Sequence, residues 1–293
     1  MSLLEYALIG GILYGIYFSL VAIGLNLVFG VMRMINLAHG QFVMLGGFGA
    51  YVLSNALHLN PLFGLPLAVI GAIVIGWPLY YAVVPRLQRS HDPEMLSFIL
   101  FFGVAQIIEA IVTLVFGADQ RSLPGDALGA GNFIVIGQAF ADSWGVAVLF
   151  SIAAIVGLYF YFSRTRLGYA TRAIMSNREE ARATGIDVDR ISAIAFVIGL
   201  ALAGIAGVFV PYMLGSISPS IGDSLTVTSF AVIIIGSLGS PLGTVVGGLV
   251  FGIGTMLMQT YYSSWSSLVP YVLLVLIVLV RPTGLLGKAV RVA

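Results

Sequence analysis

The residues of this sequence that could carry out chemistry are few and scattered. There is no cysteine, and the three histidines, His39, His58 and His91, each lie near the end of an apolar block. No second His, Asp or Glu stands at helical spacing beside His39, which argues against a metal site there. An enzyme inside these blocks would need a nucleophile beside a base, and the sequence offers no such pair. We therefore predict that the chain is not an enzyme and holds no metal.

Glu109 is the one clear acidic residue inside a long apolar block. Gln106 and Thr113 lie three residues before it and four after it, so the three side chains share one face of a helix. An ionisable residue in a membrane segment is by default a functional candidate. The alternative is structural, an acid paired across a helix interface or reaching outward. A proton or sodium symporter would be expected to carry more such acids.

Nucleotide-binding residues are not found in the sequence. The pattern GxxxxGK[ST] does not occur, and GLLGK at 284–288 has the wrong spacing, with no Ser or Thr after Lys288. We expect the chain to have no cofactor of its own and no nucleic-acid partner.

A hydrophilic segment at 163–190 contains a predicted short helix. Ser176 and Glu179 have the spacing of a capping box, in which both side chains bond to free backbone N–H groups. Gly185 supplies the left-handed residue that ends such a helix. Between them lie small and charged side chains, namely Arg178, Glu180, Ala181, Arg182 and Ala183. So short a helix gains stability if something packs on it, and the segment is either a docking site for a partner or a basic loop that only fixes topology.

A glycine-rich stretch follows near the C-terminal end of the sequence. Glycine recurs at Gly236, Gly239, Gly243, Gly247, Gly248, Gly252 and Gly254. Small residues at such spacing let helices approach closely in lipid. Pro241 within this stretch also predicts a turn between two half-length helices, an interruption of the kind that lines a transport pathway.

The composition predicts which kind of secondary structure positions these residues. Hydrophobic residues make up 59% of the chain and charged residues 9%, too little polar surface for a soluble globule. Apolar blocks of membrane-spanning length occur at 6–30, 41–57, 62–84, 95–116, 144–162, 190–214, 224–238, 243–262 and 266–280. The runs are continuously apolar, unlike barrel strands. We predict an all-α polytopic transmembrane helix bundle of eight or nine helices, with a broken or re-entrant helix pair.

The basic residues predict how the chain is oriented. All of its 13 Lys and Arg residues except Arg121 fall in alternate loops, at Arg33, Arg86, Arg89, Arg164, Arg166, Arg172, Arg178, Arg182, Arg190, Arg281, Lys288 and Arg291. The positive-inside rule puts these loops in the cytoplasm, with the N-terminus outside and the C-terminus inside. The longest outside segment, 117–143, is then an external connection; the alternative is a substrate-binding lid.

Four separated motifs resemble the LivH-like permeases of branched-chain amino-acid ABC importers. They are GVMRMINLAHGQFVMLGG (30–47), RTRLGYATRAIMSNREEARATGID (164–187), IGSLGSPLGTVVGGLVFG (235–252) and RPTGLLG (281–287). The resemblance spans nearly the whole chain and implies a single permease domain over 1–293 in the bacterial inner membrane. It makes 163–190 a coupling loop, with Ser176–Gly185 docking into an ATP-binding subunit.

The resemblance also implies the partners and the solute. The partners would be a second homologous permease subunit, two ATP-binding subunits that use the ATP, and an extracytoplasmic solute-binding protein. Branched-chain amino acids are the implied solutes, with urea, short amides and aromatic acids carried by close relatives. Residues 225–235 lack the charged or distinctive residue that many relatives show there. A stand-alone carrier or channel is the alternative of another class.

The same family pattern marks Asn36, His39, Gly40 and Gln41 near the start of the second apolar block. We expect Asn36 and His39 to lie at the membrane edge, where a broken helix leaves backbone groups that their side chains can satisfy. The alternative is contact with the solute.

Overall fold

The computed structural model describes residues 3–287, except for the side chain of Asp126. Its α-helices are α1 (Leu3–Met32), α2 (His39–Asn55), α3 (Gly64–Gln88), α4 (Pro93–Phe116), α5 (Asp142–Arg164), α6 (Arg166–Ser176), α7 (Arg178–Ala183), α8 (Val188–Val208), α9 (Val210–Met213), α10 (Ile221–Gly236), α11 (Pro241–Tyr261) and α12 (Val269–Val280). A small antiparallel hairpin pairs β1 (Asn132–Val135) with β2 (Gln138–Ala141). The predicted all-α helix bundle is confirmed.

The helices account for all nine apolar blocks of the sequence. Within 3–287, 7 helical stretches are long and apolar enough to cross a membrane. The remaining two blocks form α2 and α10, which have 17 and 16 residues. At 1.5 Å per residue each is about 25 Å long, slightly short of a full crossing.

The bundle has two distinct ends. At one, which we call the basic end, Arg178 of α7 donates to the Val31 carbonyl over 3.3 Å and to Gln88 Oε1 over 2.6 Å, joining α7 to the ends of α1 and α3. At the other, the hairpin end, Phe140 of β2 stacks on Tyr6 with ring centroids 5.2 Å apart. Lys288 and Arg291, which were counted among the cytoplasmic cations, lie outside the described residues.

Helices α1 and α8 are the buried centre of the bundle, since 72% of the residues in an apolar 18-residue stretch of each are buried. Helix α1 packs against α11 through glycines on both sides: a Cβ on Gly15 would lie 2.7 Å from the Gly248 carbonyl, and one on Gly252 would collide with Gly15. Van der Waals packing at this range holds helices together in lipid. The glycine-rich stretch is therefore a packing face, as predicted.

The half-length pair predicted around Pro241 is only partly right. Helix α10 is short, but α11 has 21 residues and is one of the full-length spans. Proline fits the first turn of a helix, where its missing N–H has no intrahelical role, and Ser240 caps α11 by accepting from Gly243 N. The turn at 237–240 lies near the basic end, where Gly239 approaches Gly30.

The interior interruptions of the bundle precede α2 and α10. The segments 33–38 and 214–220 are not regular helix, and the helices that follow them begin beside each other, since Gly40 contacts Gly222. His39 bonds to Val21, which stands about 27 Å from the start of α1 and about 16 Å from its end at 1.5 Å per residue. Both short helices therefore begin near mid-depth.

Candidate functional site

The chain enters α2 through a buried, non-helical turn. Asn36 and His39 are 0% exposed and lie in the bundle interior. The predicted position at the membrane edge is wrong, because His39 bonds to Val21, about 16 Å inside the end of α1. Asn36 Oδ1 accepts from the Ala38 N–H at 3.1 Å, and His39 Nε2 donates to the Val21 carbonyl at 2.7 Å. Each side chain thus satisfies a backbone group, as a broken helix inside a membrane requires.

The starts of α2 and α10 cross in direct contact. Gly40 N donates to Thr226 Oγ1 at 2.9 Å, and the Thr226 hydroxyl in turn donates to the Gly222 carbonyl at 2.9 Å. A Cβ on Gly40 would collide with the Gly222 carbonyl. Glycine at position 40 is what lets the two backbones meet.

Gln41 joins two acidic residues at this crossing. Its side chain is 0% exposed, and Nε2 donates to Asp223 Oδ1 at 3.0 Å and to Glu109 Oε2 at 3.5 Å. Gln41 Oε1 has no hydrogen-bond partner in the described part of the chain. We call Gln41, Glu109 and Asp223 the acid cluster.

The acid cluster was only partly foreseen. Glu109 was expected to share a polar stripe with Gln106 and Thr113 of its own helix, and the hydrogen bond that it accepts from Gln41 of another helix was not predicted. Asp223 was missed because it stands one residue before an apolar block. Asp223 lies in the first turn of α10, where the helix dipole stabilises a carboxylate, and this position could have identified it from the sequence.

Asn26 organises the turn between α10 and α11, and the sequence analysis missed it. Its Nδ2 donates to the carbonyls of Ser237 at 3.2 Å and Ser240 at 2.9 Å, and its Oδ1 accepts from Gly239 N. Of the residues predicted to break the helix, Gly239 lies in this turn, Gly236 ends α10, and Pro241 and Gly243 lie in the first turn of α11. An amide within the first apolar block was the signal that could have identified it.

The N-cap of α7 is Asn177 and not Ser176. Ser176 is the last residue of α6, whereas Asn177 has the extended backbone (φ −151°, ψ 113°) that an N-cap needs. Asn177 Oδ1 accepts from Glu179 N at 3.0 Å and Glu180 N at 3.2 Å, and Asn177 Nδ2 donates to Glu180 Oε1 at 2.7 Å. The capping box was therefore assigned one residue too early.

The predicted end of this helix at Gly185 is confirmed. Gly185 has φ +86°, its N–H donates to the Arg182 carbonyl at 3.0 Å, and Ile186 N donates to the Ala181 carbonyl at 3.1 Å. These two bonds form a Schellman motif, which satisfies the last carbonyls of the helix.

Helix α7 has an inner and an outer face. Ala181 is buried, and Arg178 reaches inward to α1 and α3 and approaches Asp189 Oδ1 at 3.7 Å. Burial lowers the pKa of the Arg178 guanidinium, and the Asp189 carboxylate opposes that shift. The outer face carries exposed charged side chains, namely Glu179, Glu180 and Arg182. Arg178 anchors the segment, and the other three side chains remain accessible at the surface.

No group of three or more His, Cys, Asp or Glu residues that could hold a metal ion occurs in the described residues.

The chain is similar to membrane components of solute transport systems. The model of the family "Branched-chain amino acid transport system / permease component" matches residues 7–278. The high-affinity branched-chain amino acid transport system permease protein LivH of Salmonella typhimurium is 31% identical over 292 residues, covering 95% of this chain and 94% of LivH. The corresponding protein BraD of Pseudomonas aeruginosa is 30% identical, covering 96% of this chain and 95% of BraD.

A more distant similarity is to the permease protein LivM of the same Salmonella strain. It is 26% identical, covering 92% of this chain and 67% of LivM. No solved structure matches the chain significantly.

Proposed function

The chain belongs to the family of permease components of branched-chain amino acid transport systems, and we propose that it is the transmembrane permease subunit of an ATP-driven ABC importer. In this proposal it moves branched-chain or related amino acids across the bacterial inner membrane by alternating access. The chain contributes no ATPase site, and the ATP is used by partner subunits.

The observation that carries this proposal is the construction of α7. A helix of 6 residues is too short to be stable alone in water, yet this one is capped at both ends and tied to α1 and α3 by Arg178. Its outer face of Glu179, Glu180 and Arg182 is left exposed. A rigidly held short helix that presents charge is suited to transmit motion from an ATP-binding subunit to the bundle.

The partners follow from the family. The similarity to both LivH and LivM supports pairing with a second homologous permease subunit. Two ATP-binding subunits would meet the basic end, which we place in the cytoplasm with the C-terminus. A solute-binding protein would deliver the solute at the hairpin end, which we place outside with the N-terminus.

The direct test is transport by the reconstituted complex. Liposomes containing this chain, its partner permease and the ATP-binding subunits should take up leucine only when ATP and the loaded solute-binding protein are supplied. Leucine flux through this chain alone would instead show a stand-alone carrier or channel. Uptake of urea, a short amide or an aromatic acid in place of leucine would support the importer class but contradict the proposed solute.

Variants of the outer face of α7 test the coupling step. Glu179→Arg and Arg182→Glu reverse exposed charges and should lower both uptake and co-purification of the ATP-binding subunit. Asp119→Arg, an equally exposed charge reversal in the loop after α4, is the matched control and should change neither. If both α7 variants behave like this control, the partner contacts another part of the basic end.

A further inference from the structure

The acid cluster lies within the membrane-spanning part of the bundle. Glu109 is 16 residues into α4 and 7 from its end, so at 1.5 Å per residue it stands about 24 Å from the start of the helix and about 10 Å from its end. Gln41 and Asp223 are in the first turns of α2 and α10, which begin near mid-depth. Short helices that begin at this depth are where transporters place their binding sites.

The two carboxylates are accessible at the surface of this single chain. Asp223 is exposed and Glu109 is partly exposed. A charged side chain that faces hydrocarbon at this depth is costly, and such residues in membrane proteins face a bundle interior or a water-filled cavity. This face of α4 and α10 is therefore covered by water or by protein in the assembled complex, and not by lipid.

Gln41 fixes the two acids in place from behind. Its buried amide donates to both carboxylates, and it lies directly against Gly222, where a Cβ would collide with it. The amide leaves its own Oε1 without a partner, although buried polar groups normally have one. The two carboxylates therefore lie at the surface of this chain, in front of a buried acceptor that has no partner.

We propose that Glu109 and Asp223 bind the ammonium group of the amino-acid solute as it crosses the membrane, with Gln41 as their positioning residue. This inference rests on the proposed function and specifies which group of the solute this chain recognises. An ammonium group has three donors and no acceptor, which matches the oxygens of two neighbouring carboxylates. Attraction between opposite charges is strong where water is partly excluded.

Neutral isosteres of the two acids test the assignment in the intact complex. Glu109→Gln, Asp223→Asn and the double variant should lower ATP-dependent leucine uptake, the double variant at least tenfold. Stimulation of ATP hydrolysis by the loaded binding protein should persist, because coupling is located at the basic end. Asp223→Glu should retain most of the uptake, and Asp119→Asn, a neutralised acid in the exposed loop after α4, is the control.

The possible outcomes separate this inference from the proposed function. Uptake by the double variant within twofold of wild type would overturn the inference, as would loss of co-purification with the partner permease, because the acids would then hold a cation of that subunit. A wild-type complex with no ATP-dependent uptake would overturn the proposed function itself.

A labelling experiment decides the inference without measuring transport. The chain has no native cysteine, so single cysteines can be introduced without background. Gln106→Cys lies on the Glu109 side of α4, while Ile107→Cys, one residue away and 61% exposed, lies on the opposite side. A membrane-impermeant thiol reagent should modify Cys at 106 and not at 107, and leucine with its binding protein should slow the reaction at 106. Failure of 106 to react, or reaction unaffected by leucine, would contradict the proposal.

Discussion

The side-chain amide of Asn26 donates to the Ser240 carbonyl over 2.9 Å, and through this bond the first helix of the chain holds the turn between α10 and α11. The same side chain accepts from Gly239 N, so one residue satisfies both a donor and an acceptor of the turn. In a membrane protein such backbone groups need a protein partner.

Asn26→Ala should destabilise the protein by about 2 kcal/mol or more, because it leaves buried backbone groups without partners. The measurement is the thermal unfolding midpoint in detergent. Asn55→Ala is the control, since Asn55 is exposed and bonds to the Tyr51 hydroxyl of its own helix. Equal midpoints for the two variants would contradict the role given to Asn26.

Gly40→Ala should disrupt the crossing of α2 and α10, because the added methyl group would collide with the Gly222 carbonyl. Overpacking of this kind costs about 1–3 kcal/mol, which should lower the yield of folded protein and its unfolding temperature. Gly103→Ala is the matched control within α4, because nothing lies within 4 Å of its Cβ position. It should be neutral or slightly stabilising, since alanine favours helix more than glycine does.

Asn177→Ala should loosen α7 by about 1 kcal/mol, the usual cost of a lost N-cap. Ser176→Ala should have little effect, because Ser176 ends the preceding helix and caps nothing. Hydrogen exchange of the amides at 178–183 measures the difference directly. Faster exchange in Ser176→Ala than in Asn177→Ala would restore the capping box predicted from sequence.

Arg178→Ala should release α7 from the bundle, because it removes the bonds to Val31 and Gln88. Arg182→Ala, an exposed arginine of the same helix, is the control for loss of charge alone. We expect Arg178→Ala to increase protease cleavage within 176–187 several-fold while Arg182→Ala leaves it unchanged. The same cleavage pattern in both variants would show that Arg178 is not an anchor.

Cysteine labelling should establish the orientation, which the partition of basic residues predicts. Arg172→Cys should react with an impermeant reagent only from the cytoplasmic side, and Asp119→Cys only from outside. Both side chains are exposed, and Asp119 precedes α5 in the sequence whereas Arg172 follows it. The reverse accessibility would invert the orientation of the whole bundle.

Local features of the sequence determined much of this protein. Hydropathy and block length predicted the helices because each membrane helix satisfies its own backbone hydrogen bonds. The glycine spacing predicted a packing face, although not that α1 is the helix packed against it. Gly185 predicted the end of α7 because the left-handed conformation favours glycine. The N-cap of α7 was predicted at Ser176, one residue before its observed position at Asn177, because the sequence does not show where α6 ends.

Only the tertiary structure decided which polar residues meet and at what depth. Gln41 and Asp223 are separated by 182 positions in the sequence and bond to each other, and no periodicity encodes such a pair. The depth of Asn36 and His39 was misjudged because the chain returns into the bundle after Arg33 before α2 begins. Hydropathy reports how apolar a residue's neighbours in sequence are, whereas depth and pairing depend on how helices pack, which is set by contacts between distant segments.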